Sequence, residues 1–268
     1  SLVYDSSNLK WTNQTISGGT SSSGGTSANL WSASTGTNSI IANNSTGNLA
    51  SGTNSLVNGS GNTVIGVNST VLGGQQNITS GSNASIIAGS GNTVSGNNSF
   101  IGGGVRNRIS GTTSSVSAGS FIGAGSGNTT ASLGSSIVGG SGNTINSTTS
   151  QYSVIGGGQS NSMATSARAF IGSGALNTIT NGTHSFIGAG SGNSAIGVYS
   201  FIGGGQLNRI ISPRSFVGGG SGNTLGSSSS HSSIVAGQSN TIASSTYSVV
   251  VGGRRNSLTS ATQSFIGG

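Results

Sequence analysis

The chain has 268 residues, with 51 glycines, one proline and no cysteine, and 31% of it is hydrophobic. Eight Lys or Arg face a single acid, Asp5, for a formal net charge of +7. This excludes a disulfide framework, a thiolate metal site and chemistry built on paired carboxylates.

Residues 1–38 read as a cap or junction segment. They hold both tryptophans, Trp11 and Trp31, and a Gly/Ser/Thr linker from Gly18 to Gly25. Solenoids need their terminal rungs covered. The start, S-L-V-Y-D, has no signal-peptide character. No apolar run in the chain approaches the roughly 20 residues of a membrane-spanning helix, so no membrane contact is expected in this segment.

From residue 39 onward the chain repeats. The segment S-F-I-G-G-G-V-R-N-R-I-S-G, starting at Ser99, is one copy. Its opening recurs fifteen times, at Ser39, Ser55, Ser69, Ser85, Ser99, Ser120, Ser136, Ser153, Ala169, Ser185, Ser200, Ser215, Ser233, Ser248 and Ser264. The spacing is mostly 14 to 18 residues, with one interval of 21. Such a period is the signature of a solenoid or related array.

Position 3 of every copy is Ile or Val, from Ile41 through Ile87, Val138 and Val235 to Ile266. Position 2 is apolar except at Thr70, and is Phe at Phe100, Phe121, Phe170, Phe186, Phe201, Phe216 and Phe265. β-branched and aromatic residues favour strands, and the glycines that follow end the strand at once. Adjacent strand residues point to opposite faces, so position 3 is expected to fill the coil and the Phe to face outward. A register of Phe on an exposed face needs cover, and a second subunit is the simplest one.

Seven or eight residues after the opening stands an Asn: Asn62, Asn77, Asn92, Asn107, Asn128, Asn143, Asn161, Asn177, Asn193, Asn208, Asn223, Asn240 and Asn256. Asn tolerates left-handed backbone and bonds to nearby turns, so these side chains are expected to form a structural ladder. Two residues later comes an apolar side chain, as at Val64, Val94, Ile109, Ile145, Ile179, Ile210, Leu225, Ile242 and Leu258. Each repeat thus reads as strand, bend, strand, bend. The expectation is an all-β fold, a parallel β-roll or β-solenoid of about fifteen short rungs over residues 39–268, roughly 70 Å long. The chain stops inside a repeat, which suggests a piece of a longer polypeptide.

No catalytic, cofactor or metal residues are expected, and the chain is not read as an enzyme. His184 and His231 lie about three rungs apart. The G-S-G-N runs lack a following P-loop Lys, and calcium-binding β-rolls need Asp ligands. Arg106, Arg108, Arg168, Arg209, Arg214, Arg254 and Arg255 fall mostly at variable positions. They read as solubilising charge, or as weak attraction to an acidic host or cell-surface glycan; nucleic acid is not expected. A Thr after the Asn recurs at Thr63, Thr93, Thr129, Thr144, Thr178, Thr224 and Thr241, but Arg108, Arg209 and Ser257 interrupt it. That leaves an ice-binding solenoid as a minor alternative.

The runs G-V-N-S-T-V-L-G at 66–73, G-N-N-S-F-I-G-G at 96–103 and G-T-H-S-F-I-G-A at 182–189 resemble the head repeats of YadA-like trimeric autotransporter adhesins. Similar repeats occur in fibre proteins of phages and large viruses, which the stretch at 30–44 resembles more. The resemblance implies a left-handed parallel β-roll and a homotrimer, with the Phe at the subunit interface. It also implies a place outside the cell, on a virion or cell surface. A viral or phage fibre mediating host attachment is the leading functional expectation, with a bacterial adhesin head as its alternative.

Overall fold

The computed structural model of the chain describes residues 2–5, 10–13, 31–42, 46–111 and 119–268, with side chains from residue 33 onward. The Gly18–Gly25 linker and the tryptophan side chains lie outside the described residues. Among the described residues the fold is all-β, with no helix. Leu2–Asp5 and Lys10–Asn13 form an antiparallel pair of their own.

The repeats build a parallel β-solenoid. Opening strands of two or three residues, such as Phe100–Ile101, stack in register into one sheet. There are fifteen of them, and Trp31–Ala33 is that sheet's sixteenth strand. Second strands, from Leu49–Ala50 to Ser257–Thr259, form a 14-stranded sheet. Between them runs a third ladder of single-residue parallel bridges, from Thr46↔Ser60 to Gln238↔Arg254. The sequence carries no sign of this ladder, because residues as different as Ser90, Val105, Gln159 and Arg254 take part. One turn is therefore opening strand, bridge, second strand and return. Fourteen turns make a rod of roughly 65 Å at the usual strand spacing.

An exposed sheet edge is a template for pairing with other chains. Trp31–Ala33 runs antiparallel to Ile40–Ala42 and covers the first edge of the opening sheet. Trp31–Ala33 belongs to residues 1–38, the segment that the sequence marks as a cap or junction.

The core lies inside the coil and consists of two ranks. Val57, Val71, Ile101, Ile122, Ile155, Ile171, Ile187, Ile202, Val217 and Val250 come from the opening strands, and Val64, Val94, Ile109, Ile145, Ile179, Ile210, Leu225 and Ile242 from the second; all are fully buried. Met163 and Ala195 fill the second rank where no β-branched residue stands. Each full burial of such an aliphatic contributes about 1.5–3 kcal/mol. Thr79 and Thr130 also occupy this rank, and the Thr79 hydroxyl has no hydrogen-bond partner among the described residues.

Three rungs depart from the frame read in the sequence. Ile86, Ile137 and Ile234 are the buried residues, whereas Ile87, Val138 and Val235 are 40%, 55% and 44% exposed. The buried opening residues there are Ala84, Ser135 and Ser232. Ser85, Ser136 and Ser233 instead take the outward position that Phe takes elsewhere. Two adjacent aliphatics satisfy the sequence pattern equally, but side-chain alternation lets only one point inward. Ile86→Asp is accordingly expected to destroy folding of its rung, since it buries an unpaired carboxylate. Ile87→Asp should leave the circular dichroism spectrum and the melting temperature close to wild type. The reverse order would restore the frame read in the sequence.

Candidate functional site

The most regular feature of the interior is a hydrogen-bonded column of asparagines. Asn62 through Asn240 are fully buried at every rung, and Asn256, in the last one, is partly exposed. Each backbone N–H donates to the Oδ1 of the Asn one rung earlier, as from Asn208 to Asn193 at 3.0 Å and from Asn223 to Asn208 at 3.0 Å. Each Nδ2 donates to the carbonyl four residues before it, and in all but Asn256 also to a glycine carbonyl of the following rung. For Asn208 these are Gly204 and Gly220, both at 3.0 Å. The column thus satisfies polar backbone at a corner where the ladder hydrogen bonds of the strands run out. Asn48 is its first member: its Oδ1 accepts from Asn62 N–H at 2.8 Å and its Nδ2 donates to Gly59 at 2.9 Å. The repeat pattern misses Asn48 because its rung begins in the irregular first opening.

A second polar column comes from the opening serines. Their hydroxyls lie inside the coil, and several accept the N–H of the next opening residue, as from Ser200 to Ser185 at 3.0 Å and from Ala169 to Ser153 at 3.2 Å. The sequence marks these serines as a repeat signature without assigning them a partner. Together the two columns make every rung the template for the next.

The outer faces differ from one another. On the opening sheet all seven Phe point outward, and Phe121, Phe170, Phe201 and Phe216 are each 37–38% exposed. Phe100 stacks on Phe121 at 5.8 Å, and Phe170, Phe186, Phe201 and Phe216 stack in series at 5.2, 4.8 and 5.3 Å. Ser136 and Val154 separate the two runs, and Ser233 and Val249 separate the second from Phe265. On the second sheet the outward rank mixes Thr63, Ile78, Thr93, Arg108, Thr129, Thr144 and Ser162. Two threonines in succession is its longest Thr run, at Thr129–Thr144 and Thr224–Thr241.

A third outer rank lies at the corner before each opening residue, where the backbone is left-handed. In the early rungs it is Asn38, Asn54, Asn68, Asn83 and Asn98, with φ between 51° and 56°. Their exposed amides bond to one another in sequence at 2.9–3.1 Å. In the later rungs it is Tyr152, Arg168, His184, Tyr199, Arg214, His231, Tyr247 and, in the last, Gln263, with φ between 53° and 58°. Both histidines therefore sit on one edge, three rungs apart, roughly 14 Å. Among the described residues no three His, Cys, Asp or Glu gather into a metal-binding group. No family model and no curated protein matches the chain.

Proposed function

We propose that the chain is a non-catalytic rod of an extracellular fibre, assembled as a homotrimer on a virion or cell surface, that serves host attachment. The outward Phe stripe is the observation that carries the reading. Soluble monomers rarely leave a contiguous apolar strip along one face, and the same strip on identical copies is self-complementary in length. The number three and the viral setting come from the repeat resemblance at 66–73, 96–103, 182–189 and 30–44. The lack of catalysis is argued from a chain with one acid, Asp5, and two histidines about three rungs apart. Reproducible hydrolysis of a polysaccharide by this chain would overturn that part.

Light scattering at micromolar concentration tests the assembly. The wild type should have the mass of three chains. Phe201→Asp should lower that mass to one chain while the β spectrum survives, because position 201 faces out of its own coil. A wild-type monomer would overturn the trimer.

A bacterial adhesin head is the second reading and shares the same rod physics. A membrane β-barrel in the full-length gene product would favour it; a virion-attachment module would favour the fibre. The broken Thr rank of the second sheet argues against ice binding, which needs flat, uninterrupted ranks.

A further inference from the structure

We infer that the edge carrying Tyr152, Arg168, His184, Tyr199, Arg214, His231 and Tyr247 is a binding strip for an acidic polysaccharide lying along the rod. This deepens the attachment reading above and rests on it, since a surface rod is what would meet such a glycan.

The first argument is conformational. The corner requires left-handed backbone at every rung. Glycine or Asn adopts it at least cost, and the early rungs use Asn, then Gly119 and Gly134. Eight consecutive later rungs abandon those residues, the last with Gln263. His is moderately tolerant of this conformation, but Tyr and Arg are not. The conformation is not peculiar to this edge, since Gln76, Arg106, Leu176, Leu207 and Arg255 hold it at the corner beside the bridge ladder; what it does here is turn all seven side chains out into solvent in one line.

The second argument is the order of the side chains. From Tyr152 to Tyr247 they run Tyr, Arg, His, Tyr, Arg, His, Tyr, so one pattern recurs every three rungs, roughly 14 Å, and ends where Gln263 takes the corner of the last rung. A polymer with a regular repeat can meet equivalent groups along such a strip, and every additional register multiplies the effective concentration of the next.

The third argument fixes the ligand class. The strip has two guanidiniums and no carboxylate, and the only acid in the chain, Asp5, is outside the repeats. An anionic partner is therefore favoured. The rings stack on each other along the rod: His184 lies on Tyr199 at 5.0 Å and 5°, and His231 on Tyr247 at 5.1 Å. Arg214 stands over Tyr199 at 5.8 Å from the ring centroid. Both faces of Tyr199 are thus taken. Single-stranded nucleic acid binds by stacking bases on free ring faces, which this strip does not offer there. What remains outward are phenol, imidazole and guanidinium edges, all hydrogen-bond donors. Carboxylates or sulfates on a polysaccharide accept such bonds, and Arg can receive them in a forked, two-bond geometry.

The test uses the full chain immobilised and exposed to heparin, to polygalacturonate, to uncharged dextran and to oligo-deoxythymidine at low ionic strength. The two acidic polysaccharides should bind, dextran should not, and added salt should release them. The Arg168→Ala/Arg214→Ala double variant should bind at least about tenfold more weakly, the effect of losing one charge-assisted hydrogen bond. Arg106→Ala/Arg255→Ala, with the same charge change on another corner, should bind as the wild type does. Tyr199→Asn should also weaken binding while raising the melting temperature, because it returns the corner to the residue that tolerates it best. Equal losses in both Arg pairs, tighter binding of the oligonucleotide, or no acidic polysaccharide bound at all would overturn the strip. Each of those results leaves the fibre reading to the mass measurement, which does not depend on the strip.

Discussion

Gly220→Ala is expected to split the rod into a long and a short segment that melt independently, whereas Gly219→Ala, one residue earlier, should be nearly silent. Gly220 has φ +87°, and a Cβ there would lie 2.1 Å from the Gly237 carbonyl oxygen and 2.8 Å from Asn223 Nδ2. The first is backbone of the next rung and the second belongs to the asparagine column, so neither can move without opening the coil. Holding a side-chain-bearing residue at such a φ costs of order 1–3 kcal/mol before the clash is counted. A Cβ on Gly219 meets nothing within 4 Å. In a solenoid each rung contacts only its neighbours, so damage to one interface leaves the flanking arrays folded. Thermal melts followed by circular dichroism, with limited proteolysis at the broken rung, measure this. Equal melting temperatures for the two variants would contradict the packing described here.

Asn208→Ala should destabilise the rod by about 2–4 kcal/mol, and Asn208→Asp by more. Alanine leaves the Asn223 N–H without its acceptor inside the coil and removes the donor to the Gly204 carbonyl. An orphaned buried backbone group costs about 1–3 kcal/mol. The Gly220 carbonyl loses less, because it also accepts from Gln206 N–H at 2.9 Å. Aspartate keeps the acceptor for Asn223 but turns a second oxygen toward the Gly204 and Gly220 carbonyls. That adds repulsion to the penalty of a buried charge. Denaturant unfolding gives the order wild type, Ala, Asp; a stable Asp variant would show that the amide donors contribute little.

The repeat, the strand positions and the outward setting of the Phe all follow from alternation of side chains, which residue types reveal directly. Interior ranks become ambiguous where two neighbours are equally apolar, as at Ile86–Ile87 and Ile137–Val138. One signal resolves them. Counted from Ala84, Ser135 and Ser232, the next column asparagine comes eight residues later, as it does from Ser99, Ser120 and Ser200. Three of the seven-residue spacings in the repeat pattern therefore count from a serine one residue past the buried opening residue. Met163, Ala195, Thr79 and Thr130 escape a search for large aliphatics, because their burial is imposed by neighbouring rungs rather than by their own polarity. The Tyr–Arg–His edge is harder still. Tyr and Arg are not turn residues by type, so nothing in their identity announces a left-handed corner. Only the stacking of rungs brings residues about 15 apart into one line.

From Ser69 onward the interval from buried opening residue to column asparagine is fixed at eight. The return from that asparagine to the next opening residue varies freely, from seven residues at Asn92–Ser99 to ten at Asn143–Ser153 and thirteen at Asn107–Ser120. Insertion and deletion are thus confined by the hydrogen-bonded columns to one side of the rod. A gene encoding such a chain has two separate dials. Duplicating a whole unit lengthens the shaft by about 4.8 Å, since each rung needs only a copy of its neighbour to sit upon. Slipping residues into the return alters what that one edge displays and leaves the shaft unchanged. Reach and surface identity can therefore diverge independently among descendants of a single ancestral repeat.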